Sequence, residues 1–410
     1  MIPELREAFN RNYRPEKYAA FLAGIDKSSG THVAFRNSET PCFFEEALLG
    51  RMAEAGADML RQLLAHPTYR AESDRVIPAE FNVPDEAPHP LFFQADFGIV
   101  KGDSGEWEPR LVEIQGFPSL YAFQPVLAAE YRRAYGLEES LHAYMGRLTE
   151  TQYNALLRRA IVGNHDPENV VLLEIDPWHQ KTLCDFLATE RMLGVHPVCI
   201  TKVIREGSRL FYDRDGKRIP IHRIYNRAIV DELERRDAKL PFEFRDPLQV
   251  EWAGHPNWFF RLSKFSLPFF DHYSVPRTWF LDAVTALPLP AEKLVLKPLF
   301  SFAGLGVVVG PTAEQIASIP ADRRHDYILQ ERMDFASVIE TPAGAAKAEV
   351  RIMYLWLEEQ PLAVNTIIRT GRGKMMGVDH NKGLEWVGAS AGFYPDYLGS
   401  RSASAGASSG

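Results

Sequence analysis

At 410 residues the chain is long for one ordinary domain, and two or three are expected. Hydrophobic residues make up 46% and charged residues 24%, enough for a globular core; a net charge of −8 with no basic block argues against a nucleic-acid partner and leaves room only for a local basic pocket. Cys42, Cys184 and Cys199 are too scattered for a zinc site or a disulfide framework and read as buried thiols, and the charged N-terminus and the lack of a membrane-length apolar run predict a cytoplasmic protein without a membrane partner.

Residues 1–70 read as helical, most clearly at Glu46–Ala65, where Leu48, Leu49, Met52, Ala55, Met59, Leu60 and Leu63 recur at helical spacing. A proline-rich stretch, 76–90, leads into two expected strands, Leu91–Val100 and Arg110–Gln115, around a turn at 102–105. Strand alternation puts Gln94 and Asp96 on one face of the first and Glu113 and Gln115 on one face of the second. These four are either a solvated hairpin face or a site for a hard cation, since Mg²⁺ takes oxygen ligands and one or two carboxylates suffice beside a nucleotide. Helices are expected at Phe123–Tyr135 and Leu137–Ala160. A strand at Asn169–Ile175, a helix at His179–Leu193 stopped by Gly194, and strands at His196–Ile200 and Ile219–Tyr225 predict a small parallel sheet. Asp176 reads as a helix cap; Arg227, just past a strand end, either meets a substrate carboxylate or makes a surface pair.

The aromatic stretch 242–270, with Trp252, Trp258, Phe259 and Phe260, reads as core. Leu294–Leu296 and Val307–Val309 then flank a loop carrying Ser301, Ala303, Gly304 and Gly306, with Lys297 at the end of the first strand. By itself this is either a surface hairpin or a phosphate clamp, in which small residues turn N–H groups on phosphate oxygens and the lysine adds charge. It is neither a dinucleotide fingerprint, which needs a third glycine and a following helix, nor a P-loop. A short helix at Thr312–Ser318, a strand at Tyr327–Glu331 and paired strands at Leu362–Arg369 and Lys374–Val378 follow, and the residues from Arg401 are low-complexity.

The strand–loop–strand with its preceding lysine resembles the phosphate clamp of the ATP-grasp superfamily. So do Arg261–Lys264, Val275–Thr278, Tyr327–Met333, the Glu349-x-Arg351 strand and the turn 379–383, in that order. The segment 113–120 (EIQGFPSL) resembles the metal-binding segment of glutathionylspermidine synthases and their circularly permuted ATP-grasp relatives, with Asp96 completing the match. The resemblance implies an α/β (α+β) fold: N-terminal helices over 1–90, a metal-binding hairpin and helices over 91–150, a Rossmann-like domain over 151–240, ATP-grasp lobes over 241–396 and a disordered tail, 397–410.

What it implies chemically is ATP-dependent ligation of a small-molecule carboxylate to an amine or thiol through an acyl phosphate, with ATP and Mg²⁺ as cofactors. Lys264 and Lys297 would hold the α and β phosphates, Ser301, Ala303, Gly304 and Gly306 would cover the γ phosphate, and the backbone around Gln330, Glu331 and Met333 would meet the adenine edge. Asp96, Glu113 and Gln115 would hold Mg²⁺, and Arg351 would face the transferred phosphoryl group or pair with a nearby acid. Gln94 stands where the synthases carry an arginine and Gln115 where they carry an asparagine. A nucleotide- and Mg²⁺-binding protein without ligase chemistry, or a small-molecule kinase, are therefore the alternatives. Two converging acids without a cation also predict a raised pKa in at least one of Asp96 and Glu113.

Overall fold

The computed structural model describes residues 1–300, 305–373, 376, 381 and 383–396. Ser301, Ala303 and Gly304 of the expected phosphate loop, most of the expected strand 374–378 and turn 379–383, and the tail from 397 lie outside them.

The mixed α/β expectation holds. A five-stranded antiparallel sheet runs in the spatial order Gly388–Ser390, Leu362–Gly371, Lys347–Leu355, Phe92–Lys101 and Trp107–Gln115. Alternation divides its side chains between two faces. Phe93, Ala95, Phe97 and Ile99 turn one way and share a core with the apolar stripe of the helix Glu46–Ala65. That helix comes close because residue 56 is glycine: a Cβ there would stand 2.1 Å from the Tyr354 hydroxyl, which donates to the carbonyls of Met52 and Ala53. The other face begins apolar, with Phe92 among Tyr121, Tyr153 and Met353, and turns polar at Gln94 and Asp96.

A second antiparallel sheet has the order Thr278–Phe280, Tyr327–Glu331, Leu294–Pro298 and Val308–Val309. A third is parallel, Glu251–Ala253, Arg223–Asn226, Val170–Glu174 and His196–Cys199, and contains the β-α-β unit whose helix, Leu183–Leu193, ends on Gly194 at φ 78°. Glycine adopts that left-handed conformation without a Cβ penalty.

Three expectations need correction. The strand expected at Ile219–Tyr225 is two strands: Lys217–Ile221 closes a separate meander with Ile204–Glu206 and Arg209–Arg214, whereas Arg223–Asn226 enters the parallel sheet. The helix expected over Leu137–Ala160 begins only at Glu150, capped by Thr149 and Gln152, because Leu141–His142 pairs with Gly392–Pro395 and Gly146 takes φ 60°. Asp176 makes no cap hydrogen bond; it sits at φ 47° and its carboxylate meets His179 at 2.8 Å and Arg236 at 3.6 Å.

The strand Gly392–Pro395 also pairs in parallel with Cys42–Phe43, joining the two ends of the described chain in one small sheet. All three cysteines are free; Cys42 and Cys184 are buried. Among the described residues no helix is long and apolar enough to cross a membrane.

Candidate active site

The polar end of the central sheet meets the second sheet, and charged side chains from both gather there. In register, Asp96 lies opposite Glu113 on one side and opposite Arg351 on the other; Gln94 lies opposite Gln115; Glu349 lies opposite Arg369. Directly opposed residues share a face, so these side chains point into one space. Asp96, 1% exposed, takes Arg351 on both oxygens, at 2.5 and 2.6 Å, and Arg369 on one, at 3.2 Å. Arg369 also donates to Glu349 at 2.5 Å. Glu113 stands 3.7 Å from Lys264 and 3.8 Å from Arg351.

Two backbone irregularities bring the lysines in. The pairing of Phe92–Lys101 with Trp107–Gln115 skips Val112, a bulge that leaves one residue out of the ladder. The Val112 carbonyl accepts from Lys297 Nζ at 3.0 Å, tying the second sheet to the first; Gln330 Oε1 accepts from the same ammonium at 2.6 Å, while its amide donates to Thr278. At the other end of the strand, Gly116 lies against the turn that carries Lys264. Its N–H donates to the Leu262 carbonyl at 2.9 Å, and a Cβ on it would stand 2.3 Å from the Trp258 carbonyl oxygen.

Arg351 has five N–H donors, and the cluster accepts all of them. Nε and Nη2 bind Asp96; Nη1 reaches Gln94 Oε1 at 3.1 Å; Gln115, with its amide oxygen turned to the guanidinium, accepts from Nη1 at 2.9 Å and Nη2 at 2.6 Å. The opposite amide orientation would set its NH₂ against these donors. Gln94 is held in turn by donating to the Ser119 carbonyl at 2.9 Å. Of the two roles the sequence left open for Arg351, the geometry is that of pairing with a nearby acid.

Four cations surround three carboxylates, and this sets the titration of the group. Burial works to raise the Glu113 pKa, but Lys264, Arg351, Arg369 and Lys297 outweigh it and the carboxyl lies below its ordinary value. The carboxyl raised here is that of Glu349, where burial exceeds the pull of Arg369. Burial, with Lys264 adding to it, lowers Lys297 from 10.5 to about 8. Between those values the unfolded chain holds the proton and the folded one has lost it, so stability rises with pH across this window. Anion affinity has the opposite sign. Any polyphosphate held by this ammonium is expected to bind more weakly, by about 1.5–3 kcal/mol, as pH rises through roughly 8. Calorimetric titrations from pH 6.5 to 9.5 check this, and the inflection should vanish in Lys297→Met.

The remaining expected site residues stand elsewhere. Gly306, at φ 73°, packs against Pro298. The Glu331 carboxylate pairs with Arg277 at 3.0 Å, and the N–H groups of Glu331 and Arg332 donate to the carbonyls of Arg277 and Lys293, so at the expected adenine edge these two N–H groups are already used. Arg227 is 2% exposed, packed between Phe117 and Phe186 and paired with Asp185; a substrate carboxylate would have to displace Asp185. Arg369 was missed by sequence reasoning. Its signal is the one charged residue in the β-prone stretch 362–370, and the structure sets it in register with Glu349.

Mg²⁺ is the metal that the resemblance implies, and the side chains do not fit it as they stand. Both oxygens of Asp96 are taken by guanidinium groups, Glu113 lies between two cations, and no metal-holding group of three His, Cys, Asp or Glu occurs among the described residues. A recess of about 530 Å³ lies elsewhere, between residues 83–87 and 246–255; in it Arg223 pairs with Glu251.

The arrangement of the sheets is similar to that of a solved structure. That structure is of a glutathione synthetase-like effector from Globodera pallida in its apo form, one of several solved chains that match. The TM-score is 0.59 at 10% identity, and the likeness covers 92% of this chain and 96% of that one. At that identity it speaks to the fold alone. No family model matches the sequence, and no curated protein does.

Proposed function

We propose that the protein is an ATP-dependent ligase of the ATP-grasp kind, related to the glutathionylspermidine-synthase-like, circularly permuted group, joining a small-molecule carboxylate to an amine or thiol. The observation that carries this reading is the convergence of Lys264, Lys297, Arg351 and Arg369 on one surface, in a fold of the glutathione synthetase type. Phosphates need fixed positive charge, and a buried ammonium already holding two acceptors keeps its third N–H for an oxygen. Lys297 is such a group, with Val112 and Gln330 as the two acceptors.

In this reading Lys264 and Lys297 bind the polyphosphate, and Arg369, whose side chain is 26% exposed, lies nearest to the transferred group. Transfer of the γ-phosphoryl group to a substrate carboxylate gives an acyl phosphate and ADP, and attack by the amine expels phosphate. The protein's part is positioning and charge, with no nucleophile of its own. The test is ADP and phosphate release from ATP across a library of acids and amines. Turnover only with an acid–amine or acid–thiol pair, lost at least about 10²-fold in Lys297→Ala, is expected. Turnover with an alcohol alone would make the protein a kinase, and tight ATP binding without any turnover would make it a nucleotide-binding protein.

A further inference from the structure

We propose that Arg351 is the resident cation of the carboxylate and amide set formed by Asp96, Glu113, Gln94 and Gln115, so that polyphosphate binds here without a divalent metal. The inference rests on the reading of the cluster as a phosphate site and deepens it by stating in which form the ligand is taken.

The guanidinium occupies the centre of the residues that would otherwise ligate a metal. It touches both oxygens of Asp96 at 2.5 and 2.6 Å, lies 3.8 Å from Glu113, and receives the amide oxygens of Gln94 at 3.1 Å and Gln115 at 2.6 and 2.9 Å. These are oxygen ligands of the hardness Mg²⁺ prefers, gathered on a planar cation. The two glutamines that depart from the synthase pattern have one physical explanation. Each puts a neutral acceptor on Arg351, and the longer arm of glutamine lets the carbonyl at 115 reach across to the neighbouring strands.

A divalent ion at this point would have to expel a guanidinium making five hydrogen bonds, itself 8% exposed. It would also enter a space that already holds four cations against three carboxylates. Expelling a buried, fully paired charge is strongly unfavourable unless the vacated partners are paired again at once. A polyanion meets the opposite situation: the four cations attract it, and no ion need accompany it. With its donors used inside the cluster, Arg351 acts on phosphate through its field, and contact falls to Lys264, Lys297 and Arg369.

Two measurements on the full chain test this. Manganese EPR titration of the wild-type protein alone should show no bound Mn²⁺ up to about 1 mM, whereas Arg351→Ala, which empties the centre of the ligand set, should gain a bound Mn²⁺ signal. Calorimetry with ATP and with inorganic tripolyphosphate should give dissociation constants in EDTA within about threefold of those in excess Mg²⁺. Bound Mn²⁺ in the wild type, or a loss of more than about tenfold in both anion affinities when divalent ions are removed, overturns the proposal. So does an Arg351→Ala protein that keeps its wild-type circular dichroism and gains no Mn²⁺. If that variant does not fold, the wild-type spectra and the EDTA titrations decide alone. Tripolyphosphate binding without ATP binding would leave this inference standing and end the nucleotide reading; binding of neither anion in either buffer ends both.

Discussion

Asp185→Ala is expected to destabilise the protein by about 3–5 kcal/mol, the scale of a buried ion pair broken from one side. Asp185 is 1% exposed, pairs with Arg227, and accepts from the backbone N–H groups of Leu120 at 3.2 Å, Ala122 at 2.9 Å and Phe123 at 3.0 Å. It therefore supplies, from the helix Leu183–Leu193, the acceptor that the start of the helix Phe123–Tyr135 lacks, since Ala122 offers no capping oxygen. Alanine would strand Arg227 between aromatic rings with its charge uncompensated. Asp185→Asn keeps an oxygen for the N–H groups and should fall between alanine and wild type. Urea denaturation measures all three, and a loss below about 1 kcal/mol for alanine would mean that Arg227 finds another partner. The loss should reach the charged cluster too, because the carbonyl of Ser119, which holds Gln94, lies in the same turn.

Asp96→Ala is expected to be as damaging, by about 3–5 kcal/mol, and for a different reason. The substitution takes from Arg351 the carboxylate to which it hydrogen-bonds and from Arg369 one of two. Arg351 is then left with the more distant Glu113, at 3.8 Å, and Arg369 with Glu349. The double variant Asp96→Leu with Arg351→Met removes both ends of the pair and should recover a large part of the loss, since apolar replacements of a buried pair are often tolerated. A double-mutant cycle by urea denaturation gives the coupling energy. Additive losses would show that the pair contributes little to the fold.

How much of this was legible in the sequence depended on the range of the signal. The helix Glu46–Ala65 and the strand Tyr327–Glu331 could be read because their periodicity is local. Alternation made Gln94 with Asp96, and Glu113 with Gln115, legible as pairs within each strand, but their shared face depends on the Val112 bulge, without which Asp96 would oppose Val112 and Glu113 would oppose Ala95. The break at His222 could not be read, since both halves of 217–226 are β-prone and only the partner strands decide which sheet each joins. Thr149-x-x-Gln152 was a readable helix start inside the stretch expected as one helix. The environment of Arg351 was out of reach. It depends on aligning Lys347–Leu355 with a strand some 255 positions earlier, and only then do the carbonyls of Gln94 and Gln115 turn on the guanidinium.

The small sheet that unites Cys42–Phe43 with Gly392–Pro395 constrains the order of events during synthesis. Cys42 leaves the ribosome 350 residues before its partner Gly392. At a synthesis rate of roughly 5–20 residues per second, the interval is on the order of tens of seconds. Through that time Phe9 and Phe43, which pack against Trp386 and Phe393, remain partly uncovered. The helix Pro15–Ser29 can settle on the helix Phe123–Tyr135 once that has formed, with Phe21 against Tyr131, but Phe9 of the helix Pro3–Asn12 waits for Trp386. Nascent chains of this protein should therefore recruit holdase chaperones at their N-terminal aromatics until translation ends.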